Sequence, residues 1–219
     1  MALSRGQTPE ALVRETAADA ARRLGVRLYT ETFVVGLAPA LHQLRTTRGT
    51  LAYTQLVLAQ GARPALPAAL PPALCWRVND LAGWSGLQAQ LAKAPQRVAI
   101  VGAGMVGCEL AEDFARAGHQ VTLLDRLALP LAGLLPEIAA QRLRQSQERL
   151  GVSYLGAVQV AGISAQDDGS KLITTQCGQS LVVDQVVAAT GLVTDDRLAR
   201  IAGLAFDKGI RVDPCTLQT

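Results

Sequence analysis

Apolar positions change their spacing along the chain near residue 70, so two regions with different elements are predicted. In the first region apolar and polar residues alternate over short stretches, which is typical of closely spaced strands in a β-meander. A helix precedes these strands, with Thr8 as its N-cap, Pro9 at its first position and Gly25 at its C-terminal end. The predicted strands cover residues 26–30, 32–37, 41–46 and 55–59.

Four prolines separate the two regions, in the segment GARPALPAALPPALCW from Gly61 to Trp76, and they exclude regular structure there. Beyond this linker, apolar strands alternate with helices over short connections, which indicates a parallel sheet wrapped by helices. The predicted helices cover residues 80–91, 105–117, 136–149 and 195–202. The predicted strands cover residues 97–101, 120–125, 152–164, 171–175, 181–188 and 210–212.

The composition narrows the classes of function. An apolar content of 49% over 219 residues can build the core of one large domain or two small ones. The net charge of +3 is small and the basic residues are scattered, so we expect no nucleic-acid partner. Apolar runs are broken before membrane-spanning length and no leader pattern opens the sequence, so we expect a cytoplasmic protein without a membrane partner.

The residues that most often carry catalysis or bind metals are few and far apart. The four cysteines form no C-x-x-C pair and no cluster with histidine, which predicts reduced thiols and no metal site. His42 and His119 are isolated, and we interpret them as solvated or capping residues. No catalytic side chain is therefore predicted.

The sequence VAIVGAGMVGCELAEDF, residues 98–114, places three glycines where a strand passes into a helix. Gly102 permits a tight turn, Gly104 lets the backbone approach a ligand, and Gly107 lets the helix lie close to the strand. The free N–H groups and the positive end of the dipole at such a helix start favour a diphosphate. This spacing predicts a dinucleotide-binding turn.

An acid follows the second predicted strand, where a ribose 2′-hydroxyl is held in dinucleotide folds. Asp125 would accept that hydrogen bond and repel a 2′-phosphate, which favours NAD over NADP, although Arg126 beside it could hold a 2′-phosphate. Glu109 is either a carboxylate favoured by the helix dipole or one directed at a cofactor. Two alternatives stay open: a turn that binds no nucleotide, and one that binds S-adenosylmethionine.

Several stretches resemble the FAD-dependent pyridine nucleotide reductases, which carry an inserted NAD domain. YTQLVLAQGARP, residues 53–64, is similar to the segment that closes the first part of the FAD domain, and VAIVGAGMVGCELA is similar to the NAD fingerprint. VVAATGLVTD, ending at Asp195, resembles the segment where the chain leaves the NAD domain. VNDLAGW, residues 78–84, and GCELA bring the likeness closest to rubredoxin–NAD reductases.

The resemblance implies an α/β fold in which a Rossmann-like NAD domain, a parallel sheet with helices plus a β-meander, is inserted into a partial FAD domain. Residues 1–70 would be the truncated first segment of the FAD domain, 71–190 the NAD domain, and 191–219 the return to the FAD domain. The implied activity passes a hydride from NADH to FAD and then electrons to a small iron protein such as rubredoxin. Ferredoxin and nitrite reductases of the same family, and an NAD-binding sensor or structural module without flavin, are the alternatives.

The resemblance also implies roles for individual residues. Those placed around the NAD diphosphate and adenosine are Gly102, Met105, Val106, Gly107 and Asp125. The glycine spacing and the position beside Asp125 add Gly104 and Arg126 as further candidates for cofactor binding. Glu109 would lie near the nicotinamide and the flavin, and Gly191 at the nicotinamide end. Those placed near the FAD are Val34, through its backbone, Gly61 and Arg63.

The chain also departs from the family pattern. The glycine fingerprint that opens the FAD domain and the later G-D segment are both missing, and no proline follows the glycine of GLVTDD. We therefore expect a fragment of a longer product, with a decayed member as the alternative, and no tight binding of FAD by these 219 residues alone. We also expect an unpaired sheet edge, exposed apolar surface and poor solubility.

Overall fold

The computed structural model describes residues 2–219, which form two compact units. The inner unit comprises the residues up to Val13 and those from Pro64 to Gly191. The outer unit comprises Arg14–Arg63 and Leu192–Thr219. No helix in the described part of the chain is long and apolar enough to cross a membrane.

The helices and strands are numbered here in chain order. The α-helices are α1 (Ala17–Leu24), α2 (Leu81–Leu91), α3 (Met105–Arg116), α4 (Glu137–Arg149) and α5 (Arg197–Ala202). The strands of the first half are β1 (Val34–Ala38), β2 (Gln43–Thr46), β3 (Gly49–Ala52), β4 (Arg63–Pro64), β5 (Arg97–Val101) and β6 (Gln120–Leu124). The later strands are β7 (Ser153–Leu155), β8 (Val160–Ala165), β9 (Lys171–Thr175), β10 (Ser180–Val183), β11 (Gln185–Ala188), β12 (Leu192–Val193), β13 (Phe206–Asp207) and β14 (Gly209–Ile210).

A parallel sheet in the order β11-β5-β6-β7 forms the centre of the inner unit. Its middle strand β5 is almost fully buried from Val98 to Val101, because both faces of the sheet are covered. The main chain of Trp76 extends the sheet at β11 through hydrogen bonds with Val186 and Ala188. The predicted α/β fold with a parallel sheet is therefore confirmed.

Helices α2 and α3 pack together on one side of this core. The Asp80 side chain caps α2 by accepting the Gly83 N–H at 2.7 Å, as its position before an apolar run predicts. Trp84 of α2 stacks on Phe114 of α3, with ring centroids 6.4 Å apart. This packing fixes α3, the helix that follows the glycine turn.

Strands β8 to β10 form an antiparallel sheet over a second core cluster that includes Leu70 and Ile173. The two long strands predicted at 152–164 and 181–188 are each broken in the structure. The first breaks at Gly156, where a Cβ would lie 2.4 Å from the Ala128 carbonyl oxygen. The second breaks at Asp184, which separates β10 in one sheet from β11 in another and whose Oδ1 accepts a hydrogen bond from Arg97 Nη2 at 2.6 Å.

The outer unit contains an antiparallel meander of β1, β2 and β3. The strands predicted at 26–30 and 55–59 are wrong, since neither segment has a pairing strand within residues 2–219. Alternation gives a segment the right side chains for a strand, but a strand also requires a neighbour for its hydrogen bonds. Both segments instead expose apolar side chains such as Leu28 and Val57.

The predicted N-terminal helix is shorter than expected. Residues Glu10–Leu12 form a single 3₁₀ turn, and the α-helix begins only at Ala17. Thr16 caps this later start by accepting the Asp19 N–H at 3.1 Å. The predicted end is confirmed, because Gly25 terminates α1 in the left-handed region at φ +65°.

Candidate nucleotide-binding site

Two glycines are sterically required between β5 and α3. Gly102 has φ +109°, and a Cβ there would lie 2.3 Å from the Ala189 carbonyl oxygen. A Cβ on Gly107 would lie 1.8 Å from the carbonyl oxygen of Gly102. The start of α3 therefore lies against the turn at a distance that only glycine permits.

Gly104 serves a different purpose, because its position is open. It precedes α3 with an ordinary φ of −74°, and a Cβ there would meet nothing within 4 Å. No side chain caps this helix start, and the N–H groups of its first residues have no partner within the helix. The arrangement presents bare donors and the positive end of the helix dipole to an anion.

Residue Ala103 is held on both sides by the chain that follows β6. Its N–H donates to Oδ2 of Asp125 at 2.5 Å, and its carbonyl accepts the Leu131 N–H at 2.9 Å. The neighbouring Gly102 N–H donates to the Leu124 carbonyl at 2.8 Å. These bonds fix the turn in its shape before any ligand arrives.

Asp125 lies at the end of β6 and uses both carboxylate oxygens within the protein. Oδ1 accepts the Leu127 N–H at 2.7 Å, while Oδ2 accepts the bond from Ala103. A carboxylate has about four acceptor positions, so each oxygen retains capacity for a ligand hydroxyl. Asp125 is thus both a brace for the turn and an available acceptor.

A cavity of about 520 Å³ opens in front of the turn, entirely within the inner unit. Gly102–Gly104, Asp125 and Arg126 form one wall, and Thr190 and Gly191 lie on its lining too. The other walls are mainly apolar. They come from Pro67, Ala69, Leu70, Leu127, Leu129, Leu131, Leu134, Val158 and Val160. This mixture suits a ligand with an anionic centre and apolar rings.

The residues predicted from the sequence fall into three groups. Gly102, Gly104, Asp125, Arg126 and Gly191 line the cavity. On α3, Met105, Val106 and Glu109 are exposed and Gly107 is buried, and none of these four lines the cavity. Val34, Gly61 and Arg63 belong to the outer unit. Their roles toward a cofactor stay predictions.

In the outer unit, Val34 lies on β1, and its carbonyl accepts a hydrogen bond from Arg197 Nη2 at 2.9 Å. Gly61 has φ +66° with open space around its Cβ position, and Arg63 is exposed at the start of β4. The bond from Arg197 was not anticipated, because residues 34 and 197 are far apart in the sequence.

The two buried cysteines of the inner unit, Cys75 and Cys108, are unreactive thiols. Cys108 lies on α3, with Sγ 3.5 Å from the Ala103 carbonyl oxygen. Burial raises the pKa of Cys108 to about 11, so it stays a neutral thiol near pH 7. Burial likewise raises the pKa of Cys75 to about 11. Neither thiol is a nucleophile.

Sequence reasoning missed most of the apolar wall. The run LALPLAGLL, residues 127–135, contains Pro130 and Gly133, which exclude a continuous helix, and its five leucines signal an apolar loop. The contributions of Pro67–Leu70 and Val158–Val160 had no such signal. They reach the cavity only because the chain returns to the carboxyl ends of β5 and β6.

Related proteins align with this chain over most of the chain's length. A protein from Escherichia coli strain SMS-3-5/SECEC, named nitric oxide reductase FlRd-NAD(+) reductase, is 37% identical over 211 residues, covering 96% of this chain and 55% of its own length. The protein of that name from Shigella flexneri matches with the same identity and coverage. The chain therefore spans about half the length of these relatives.

Solved structures and a family model also match the chain over most of its length. The covalent putidaredoxin reductase–putidaredoxin complex matches with TM-score 0.86 and 28% identity, over 96% of this chain and 52% of that one. Ferredoxin reductase for the CYP199A2 system from Rhodopseudomonas palustris shares the fold, with TM-score 0.83 and 23% identity over 95% of this chain and 52% of that one. The family described as pyridine nucleotide-disulphide oxidoreductase matches residues 3–219. The chain belongs to the pyridine nucleotide-disulphide oxidoreductase family.

Proposed function

We propose that the inner unit binds NADH, and that the complete protein passes a hydride from NADH to FAD and then electrons to a small iron protein such as rubredoxin. In the complete protein, bound NADH would supply two electrons as a hydride and bound FAD would release them one at a time, so the cofactors would carry the chemistry. The contribution of this chain is to hold and align the dinucleotide.

The observation that carries the proposal is the open, braced turn at the start of α3. Gly104 leaves room for a diphosphate, and no side chain caps the first turn of α3, so its free N–H groups would donate to that anion. A side chain in place of Gly102 or Gly107 would collide with backbone, so the turn keeps this shape. The residues present therefore fit a dinucleotide.

Other residues of the cavity have assignable roles. Asp125 would accept a hydrogen bond from the ribose 2′-hydroxyl of the adenosine. The leucine-rich wall, including Leu129 and Leu134, would cover the adenine and exclude water. Thr190 and Gly191 would lie toward the nicotinamide end, and Glu109 beyond it near the flavin.

We propose that the outer unit is part of an FAD domain. Residues 1–70 and 191–219 would belong to the FAD domain and 71–190 to the NAD domain, with Val34, Gly61 and Arg63 near the FAD. Since the chain spans about half of its relatives, FAD would be held by a longer protein. We further propose that this protein acts in the cytoplasm.

The electron acceptor is proposed from the comparisons. One structural neighbour is a reductase crystallised with putidaredoxin, and the relatives are named for FlRd, a flavorubredoxin. Both names support a small iron protein as the partner. The lack of a reactive thiol at Cys75 or Cys108 is in keeping with electron transfer that needs no protein nucleophile.

Gly104→Ala tests the proposed function, because the fold tolerates this change and the ligand does not. The Cβ would meet no protein atom, so stability should fall by no more than about 1 kcal/mol, the cost of alanine in place of glycine at an N-cap. It would occupy the space where the diphosphate approaches, so NADH affinity, followed by nicotinamide fluorescence, should fall at least about tenfold.

Gly209→Ala is the matched control, since it too has open space and lies in the outer unit. This variant should bind NADH like the wild type. Absence of NADH binding to the folded wild-type chain at millimolar concentration would contradict the proposed function. Equal affinity in wild type and Gly104→Ala would remove the turn from the site.

A further inference from the structure

Tyr154 of β7 is a buried residue whose hydroxyl contacts the loop that follows Asp125. The residue is 7% exposed, and its hydroxyl donates to the Leu127 carbonyl at 3.1 Å. The guanidinium carbon of Arg144 on α4 lies 5.4 Å from the centroid of the ring. Burial raises the pKa of Tyr154 above its ordinary value of 10, so the hydroxyl stays protonated near pH 7. Tyr154 is therefore a fixed hydrogen-bond donor to this loop.

A continuous path of hydrogen bonds leads from this hydroxyl to the glycine turn. The Leu127 carbonyl accepts the Tyr154 hydroxyl and also the Ala157 N–H at 3.0 Å. The Leu127 N–H donates to Oδ1 of Asp125 at 2.7 Å. Oδ2 of Asp125 accepts the Ala103 N–H at 2.5 Å. Each bond along this path restricts the group that makes the next one.

The end of β7 is shaped for this contact at Gly156. A Cβ there would lie 2.6 Å from Cε1 of Tyr154 and would also collide with the Ala128 carbonyl oxygen. Without a side chain at Gly156, the tyrosine ring can lie close to the main chain that follows Leu127. The contact therefore depends on the close packing of buried groups, and it is not made by a flexible surface side chain.

We propose that Tyr154 is a positioning residue of the nucleotide site, which fixes the Asp125 carboxylate through Leu127. This rests on the proposed function, in which Asp125 contacts the dinucleotide. Tyr154 does not line the cavity, so it acts on the ligand only through the loop. A carboxylate that is already held at one angle loses less freedom when the ligand binds, so this positioning raises affinity.

Tyr154→Phe tests the proposal, because it removes the hydroxyl and keeps the ring. The variant should fold, since the Leu127 carbonyl keeps its bond from Ala157. Amide hydrogen exchange at Leu127 and Ala103, followed by NMR without ligand, should accelerate about fivefold. Exchange at Ile100, in the centre of β5, should stay as in the wild type, whereas a general loss of stability would accelerate all three amides. NADH affinity, followed by nicotinamide fluorescence, should fall about fivefold.

Tyr29→Phe is the control, since Tyr29 is an exposed tyrosine of the outer unit. It should change neither exchange nor affinity. The inference is overturned, and the proposed function stands, if Tyr154→Phe binds NADH like the wild type. Unchanged exchange at Leu127 and Ala103, or equal acceleration at Ile100, would also overturn it. If the wild type binds no NADH, the proposed function is wrong, and the exchange rates alone decide whether Tyr154 positions Asp125.

Discussion

At the scale of single residues, the carboxylate of Asp125 both stabilises the turn and faces the cavity. Asp125 braces the turn through Ala103 and Leu127 while facing the cavity with its remaining acceptor capacity. In the proposed function Asp125 also contacts the dinucleotide, which would couple the stability of the fold to ligand affinity. Substitutions there must be interpreted for both effects.

Asp125→Ala should therefore lower stability as well as affinity. The Ala103 residue is 2% exposed, so its N–H would lose an acceptor that water cannot easily replace, at a cost of about 1–3 kcal/mol. NADH affinity should fall further than NADPH affinity, because only NADH offers the 2′-hydroxyl. Urea unfolding and nicotinamide fluorescence measure the two effects.

Asp167→Ala provides the comparison, since Asp167 is an exposed acid outside the cavity. It should leave both stability and affinity as in the wild type. If Asp125→Ala unfolds at the same urea concentration as the wild type, the turn does not depend on this brace.

The sequence could single out candidate residues of this site, but not the contacts that they make. Glycine spacing and the acid after β6 are local signals, so Gly102, Gly104, Gly107 and Asp125 could be singled out without a structure. The Leu131 N–H bond to Ala103 depends on the path of a loop, and a loop path is set by packing that no spacing rule describes. The hydrogen bonds that hold the turn could therefore not be predicted from the sequence.

At the scale of elements, α3 connects the turn to a buried histidine. His119 follows α3 and is 9% exposed, and its Nδ1 accepts the Gln96 N–H at 3.2 Å, at the entry to β5. Its ring packs against Phe114 in an edge-to-face arrangement, with ring centroids 6.4 Å apart. His119 thus ties the end of α3 to the start of the central strand, although the sequence suggested a solvated or capping residue.

This contact should make stability depend on pH. Burial lowers the pKa of His119 below its ordinary value of 6.5, so the folded state favours the neutral ring. Its contribution is fully present above pH 6.5 and is lost as the pH falls through the lowered folded-state pKa. The wild type should therefore lose stability on acidification from about pH 7 to 5, measured by urea unfolding.

His119→Asn should reduce that loss, because an amide oxygen can accept the same N–H without titrating. His42→Asn is the control, since His42 is exposed in the outer unit. A pH dependence that is identical in the wild type and His119→Asn would show that this contact does not carry it.

Elements of the inner unit were predictable for a physical reason. Strands β5 and β6 are buried and continuous, Asp80 caps α2, and β5, β6 and β7 follow one another through helical crossovers. In the outer unit the same reasoning overpredicted, because residues 26–30 and 55–59 have strand-like alternation but no partner strand in the described part of the chain. Pairing is a property of the whole fold, not of a segment.

At the scale of the whole molecule, the outer unit exposes many apolar side chains. Leu41 is 67% exposed, Phe33 is 73% exposed and Val57 is 87% exposed. Single exposed apolar residues are ordinary, but these accompany two segments with unpaired backbone. Such surface favours association with other chains.

The chain on its own should therefore self-associate as its concentration rises, which light scattering and sedimentation velocity would detect. Val57→Lys should reduce association, because a charge beside an unpaired segment opposes strand-to-strand contact. Ala59→Lys is the control: it adds the same charge at an exposed position of the same segment but removes no large apolar side chain. If Val57→Lys reduces association more than Ala59→Lys, the apolar surface causes the association. If the two variants reduce it equally, the added charge alone explains the effect. A concentration-independent monomer with a high melting temperature would contradict the prediction, because the exposed apolar side chains would then cost the isolated chain nothing measurable.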